Sequence, residues 1–115
     1  MEKQHREIME SFNEYLKVIP AGCESIVAFL RDGNNEEALK LILHFSEGVS
    51  WLGEVNRLLV CNGINNSLPI GKIHGFLEEI NEGLGIQDYL LVADIFEYEI
   101  KQFFENVIPY EMPAN

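Results

Sequence analysis

The apolar residues in the first part of the chain recur with the spacing of an amphipathic α-helix. When successive residues are placed 100° apart, these side chains fall within one stripe about 120° wide. The stripe contains Ile8, Phe12, Tyr15, Leu16, Ile19, Cys23, Ile26, Val27 and Leu30. Because it keeps its phase across Pro20, we expect one helix from Gln4 to Arg31, bent at Pro20, rather than two independent helices.

Turn residues divide the rest of the chain into three further amphipathic segments. The turn around Gly33 predicts a second helix over residues 36–61, which Asn62 and Gly63 end. A third helix is predicted to begin at Ser67 to Pro69 and to end at Leu84, with Gly83 and Gly85 at its close, and a fourth to cover residues 86–107.

No strand-like alternation competes with these helices. The sequence therefore predicts an all-α protein, an antiparallel four-helix bundle. A chain of 115 residues fits a single domain, which we place at residues 1–108. The tail over residues 109–115, with Tyr110, Glu111 and Met112 between two prolines, is expected to lie on the surface.

Acidic residues dominate the charge of the chain. The sequence has 19 Asp and Glu against 8 Lys and Arg, a formal net charge of -11. Residues 78–115 contain nine of these acids and a single base, Lys101. Nucleic acids and anionic membrane surfaces are bound by clusters of Lys and Arg, so neither is expected as a partner. Solubility alone, or a basic protein partner, fits this charge better.

The cysteines and the N-terminal residues indicate a cytoplasmic location. Cys23 and Cys61 lie far apart without a Cys-x-x-Cys motif, and the first seven residues contain no apolar segment typical of a secretion signal. We therefore expect reduced thiols in a cytosolic protein. No apolar run of about 18 residues is present that would span a membrane.

Motifs for catalysis and metal binding are missing from the sequence. The serines lie in no Gly-x-Ser-x-Gly turn, and no glycine-rich loop leads to a lysine that would hold phosphate. Di-metal bundles use two Glu-x-x-His pairs, whereas this chain has one such spacing, Glu2 to His5. We expect no catalytic residue, no metal and no cofactor, and hence a protein that is not an enzyme.

Three polar residues are predicted to lie in the core or at its edge. Glu99 projects beside apolar residues of the fourth helix, and an unpaired carboxylate there would cost several kcal/mol. Asn56 falls on the main apolar face of the second helix, next to Arg57. A contact from Glu99 to either residue would fix the register of the helices. Alternatively, the three residues form a small-ligand or enzyme-like site together with Tyr98.

A second apolar strip on the second helix consists of Trp51, Val55 and Leu58. A helix with neighbours on two sides would bury this strip. If it stays exposed, it forms a hydrophobic docking patch with an acidic rim, or the interface of a homodimer. The sequence leaves both arrangements open.

Two stretches resemble small uncharacterised helical proteins of Gram-positive bacteria. They are Asp88-Tyr89-Leu90-Leu91-Val92-Ala93-Asp94-Ile95-Phe96-Glu97-Tyr98-Glu99 and Glu47-Gly48-Val49-Ser50-Trp51-Leu52. The resemblance implies a bacterial cytosolic helical protein and assigns no site. In size, acidity and helix pattern, the chain is also similar to flagellar and type III export chaperones. This similarity implies a non-enzymatic protein that binds an amphipathic client helix, which we place at Trp51, Val55 and Leu58.

Overall fold

The computed structural model describes residues 3–64 and 68–111, and these form four helices. The first three are α1 (Lys3–Arg31), α2 (Asn35–Cys61) and α3 (Ile70–Gly85). Helix α4 has three consecutive segments: α-helical Tyr89–Asp94, π-helical Ile95–Ile100 and α-helical Lys101–Asn106. The described residues contain no strand, and the predicted all-α four-helix bundle is confirmed.

Helix α1 continues through Pro20 as a single element. Proline removes one backbone donor and crowds the carbonyl four residues earlier, yet the apolar stripe on both sides of it packs against the same core. The buried residues of α1 are Met9, Phe12, Leu16, Ile19, Cys23, Ile26, Val27 and Leu30. Burial of one continuous stripe outweighs the local cost of the proline, as its unbroken phase predicts.

The π-helical segment of α4 changes which residues face the core. A π-helix has more residues per turn than an α-helix, so side chains beyond its start rotate backwards relative to an α-helical pattern. Ile100 and Phe104 are buried, whereas Phe103 is only partly buried. Glu99 is exposed. The prediction that Glu99 lies in or beside the core is therefore wrong, because it assumed 100° per residue along the whole helix.

The neighbouring helices of the bundle do not all pack equally closely against each other. Helix α1 packs along α2 on one side and along all segments of α4 on the other, and α3 packs along α4. Helices α2 and α3 approach each other at only a few positions. Three edges of the bundle are thus closed, and the edge between α2 and α3 is open.

Helices α1, α2 and α3 each end in a turn of the same type. In each, a residue with left-handed backbone follows the helix, and the next amide bonds to the carbonyl five residues earlier at 2.9 Å, the Schellman arrangement. The left-handed residues are Gly33, Gly63 and Gln87, with φ of 76°, 80° and 57°. In α3, Gly83 has a different role from the one that the sequence suggested, because a Cβ there would approach Val92 to 2.7 Å.

Tyr110 corrects the expectation of a surface tail. Its side chain is only 4% exposed, and its ring meets that of Phe12 edge-on at a centroid distance of 4.9 Å. The amide of Asn13 holds the Tyr110 backbone in both directions: Nδ2 donates to the carbonyl at 2.9 Å, and Oδ1 accepts from the N–H at 2.8 Å. Tyr110 therefore belongs to the core, while Met112 and residues 113–115 lie outside the described part.

Candidate functional site

The open edge between α2 and α3 contains a cleft of about 520 Å³. Its walls are mostly apolar and come from both helices. They include Val49, Gly53 and Val60 on α2 and Ile70, Ile73 and Leu77 on α3. A cleft of this size and composition is typical of a binding site, and the lining of its deepest part decides what it can recognise.

Asn56 is the buried polar residue of the cleft. Its side chain is 7% exposed, and its Oδ1 accepts a hydrogen bond from the Tyr110 hydroxyl at 2.7 Å. The sequence prediction that Asn56 is buried is confirmed, but its partner is Tyr110 rather than Glu99. Burial also raises the pKa of the Tyr110 phenol, so this group stays a neutral hydroxyl that can donate.

Charged residues lie at the mouth of the cleft. Arg57 Nη2 is 2.9 Å from Glu54 Oε2, one turn away on the same helix, and both side chains are about 70% exposed. An ion pair this exposed adds little to stability. The prediction that Arg57 is buried is wrong, since its long side chain reaches solvent from a position beside the apolar face. His74 and Cys61 complete the mouth.

Glu99 does not line the cleft, and the carboxylate close to it is that of Glu79 on α3. The Glu79 side chain is exposed, yet desolvation by the surrounding protein raises its pKa, and the nearby Glu99 carboxylate raises it further. Tyr98 is exposed as well. The polar site predicted around Glu99, Asn56 and Arg57 is therefore not assembled: two of these residues line the cleft, and Glu99 does not.

Comparison with known protein families assigns the chain to one of them. The family model described as Domain of unknown function (DUF8042) matches residues 7–109. The chain belongs to this family. No curated protein and no solved structure matches the chain significantly.

The matched part of this DUF8042 domain includes every residue named above for the cleft walls and mouth. Tyr110 follows directly after it. The sequence does not predict the α3 wall of the cleft, because an amphipathic third helix is expected to bury its apolar side in a closed bundle. One available signal was helix length: α3 has 16 residues and α2 has 27, so α3 leaves much of α2 without a neighbour.

The strip of Trp51, Val55 and Leu58 in the DUF8042 domain is divided between core and surface. Val55 is 7% exposed and belongs to the core, whereas Trp51 and Leu58 are 40% and 45% exposed. The Trp51 ring packs edge-on against Tyr15. Partner binding at this strip stays a prediction, and a partner would reach only Trp51 and Leu58.

Three observations on residues 3–64 and 68–111 concern metal ligands, membrane spans and thiols. No group of three or more His, Cys, Asp or Glu side chains there is placed to hold a metal ion. No helix in this part is long and apolar enough to cross a membrane. The two cysteines are free, and burial raises the pKa of Cys23 to about 12 whereas Cys61 is exposed.

Proposed function

We propose that this domain is a non-enzymatic interaction module that binds an amphipathic helix along its open α2–α3 edge. The observation that carries the proposal is the incomplete fourth edge of the bundle, with its apolar cleft. A helix laid over this edge would cover side chains that α3 is too short and too distant to cover. Binding of this kind resembles the export-chaperone activity that the sequence suggested, at a different surface.

The length of the cleft fits a short helix. Its residues on α2 extend from Val49 to Cys61, which is about 18 Å or roughly three turns. A helix recognised in a groove contributes apolar anchors at positions i, i+3 or i+4, and i+7, which cover about two turns. The cleft therefore accommodates one such set of anchors.

Charge indicates a basic partner. Much of the positive charge of the chain is already matched inside it: Arg57 pairs with Glu54 at the mouth of the cleft, and Lys101 of α4 pairs with Glu24 of α1 at 2.8 Å. Arg31 contacts Asp94 and Glu97 of α4. The chain as a whole keeps an excess of carboxylates, with a formal net charge of -11, and this charge attracts a helix that carries Lys or Arg beside its apolar face. The two free thiols fit a reducing cytoplasm as the place where it binds.

Gly53 provides a direct test, because it lies in the cleft wall. A Cβ at this position would be 3.9 Å from Ile70 Cδ1, an ordinary contact, so Gly53→Ala keeps the cleft and Gly53→Phe fills it. A displayed library of amphipathic helical peptides of about four turns is selected against the native protein. We expect basic peptides that bind Gly53→Ala as well as wild type and lose roughly tenfold or more in affinity, about 1.4 kcal/mol, for Gly53→Phe.

Cys61 reports on occupancy of the cleft without any label. Its exposed thiol should react readily with a disulfide reagent, whereas Cys23 is buried and holds its proton. A bound peptide should slow the reaction of Cys61 alone. The proposal is contradicted if no cleft-dependent peptide is selected, if the selected peptides are acidic, or if binding is lost in Trp51→Ala but not in Gly53→Phe.

A homodimer through the same edge is the competing arrangement. Light scattering over a dilution series separates the two, because a dimer that uses the cleft should dissociate in Gly53→Phe and not in Gly53→Ala. Such a result would replace the partner helix by a second copy of this chain.

A further inference from the structure

Asn56 is the part of the cleft whose chemistry is most restrictive. It is the buried polar residue of the described core, and it also lines the cleft. An amide carries one acceptor and one amino group with two donors. Which of these ends faces the cleft determines what an occupant must offer.

Tyr110 contacts the oxygen end of this amide. Its hydroxyl donates to Asn56 Oδ1 at 2.7 Å, and its own position is held by both hydrogen bonds to Asn13 and by the edge-on contact with Phe12. The oxygen end is therefore occupied. The amino group Nδ2 is left for the cleft, and within residues 3–64 and 68–111 it donates to no side chain or backbone carbonyl in a hydrogen bond of ordinary geometry.

We infer that Asn56 determines the specificity of the site by requiring a hydrogen-bond acceptor on the bound helix. This inference rests on the proposed function and names the chemistry of its partner. A wholly apolar helix would cover the amino group and leave it without a partner, which is costly in a buried place. A helix with Asn, Gln, Ser or Thr at the position that meets Asn56 would satisfy the amino group and fix its own register, as buried Asn residues do in coiled coils.

The test compares peptides selected against wild type, Asn56→Leu and Asn56→Asp. Wild type should enrich one polar acceptor position within an otherwise apolar face. Replacing that position by Leu should weaken binding to wild type roughly 10- to 100-fold, the cost of a buried unpaired donor. The same Leu peptide should bind Asn56→Leu at least as well as the polar one.

Asn56→Asp is the sharper variant because it keeps the shape and the acceptor for Tyr110 while presenting an oxygen to the cleft. We expect the enriched residues at the same peptide position to shift from Asn, Gln, Ser and Thr, which can accept, towards Lys and Arg, which can only donate. The residue identity at this one position is the readout, since a new carboxylate also strengthens binding of basic peptides in general. Helical circular dichroism of each variant shows that it is folded.

Tyr110→Phe tests the positioning role of the hydroxyl. Without it the amide can present either end to the cleft, so the preference for acceptors over donors should fall toward equality while apolar anchors stay selected. Failure of the two proposals is distinguishable. Peptides that bind the cleft but carry a purely apolar face, unaffected by Asn56→Leu, would overturn the inference alone, whereas absence of any cleft-dependent peptide would overturn the proposed function.

Discussion

Removal of the Tyr110 hydroxyl isolates one hydrogen bond between the end of the chain and the middle of α2. In Tyr110→Phe the ring keeps its contact with Phe12, but the buried Oδ1 of Asn56 loses its donor. A buried acceptor without a partner costs about 1–3 kcal/mol. For a domain of this size, each 1 kcal/mol lowers the melting temperature by roughly 4 °C, so we expect a decrease of about 4–12 °C.

Two further variants separate the contributions of the ring and the backbone. Tyr110→Ala removes the ring as well, and the loss of a buried aromatic side chain costs about 3–5 kcal/mol. Asn13→Ala keeps the side chain of Tyr110 but removes both hydrogen bonds to its backbone, with an expected cost of about 1–3 kcal/mol. The destabilisation should therefore be largest for Tyr110→Ala.

Urea unfolding followed by far-UV circular dichroism measures these differences in the free energy of unfolding. The dependence of that free energy on urea concentration should be the same for all variants. Tyr89→Phe is the matched control, because the Tyr89 side chain is only partly buried. If Tyr110→Phe changes the free energy of unfolding by less than about 0.5 kcal/mol, as ordinary surface substitutions do, Tyr110 is not part of the core in solution.

The dependence of stability on alkaline pH gives a second check on the burial of Tyr110. Since burial raises the Tyr110 pKa, its stabilisation is complete below the unfolded pKa near 10 and is lost as the pH rises through the folded pKa.

Three further substitutions test other features of the fold. Gly48→Ala should destabilise by about 1–2 kcal/mol and change the tryptophan fluorescence, because a Cβ at Gly48 overlaps the Tyr15 ring that packs against the indole. Gln87→Gly should stabilise by about 1 kcal/mol in thermal unfolding, since glycine adopts the left-handed backbone there without strain. Glu99→Gln should stabilise by a few tenths of a kcal/mol at pH 7 and low salt by removing repulsion from Glu79. Because the pKa of Glu79 is raised, the wild type loses stability as the pH rises through that pKa. The stability gained by Glu99→Gln should therefore vanish near pH 3, where both carboxyl groups are protonated. A variant less stable than wild type at pH 7 would refute this prediction.

The accuracy of the sequence predictions follows the range of the interactions involved. The stripe of α1 and its passage through Pro20 were predictable because helical periodicity is local and eight buried residues repeat it. The position of Glu99 was not, because it depends on the extra residue that the π-helical segment inserts after Ile95. Nothing in the pattern of single residues marks that segment. Its effect is seen in the structure, where Phe104 is buried and Phe103 is only partly buried.

The cleft shows the same difference between local and long-range interactions more clearly, because one of its decisive contacts joins residues that are far apart in sequence. Asn56 stood out as a polar residue on an apolar face, and it is indeed buried. The donor that orients it comes from Tyr110, 54 positions later, in a segment whose prolines and lack of helical pattern predicted a place on the surface. A periodic pattern shows which face of a helix is covered, but not by what. The chemistry of the site therefore depends on a tertiary contact that no single helix encodes, and the substitutions at Asn56 and Tyr110 test that contact directly.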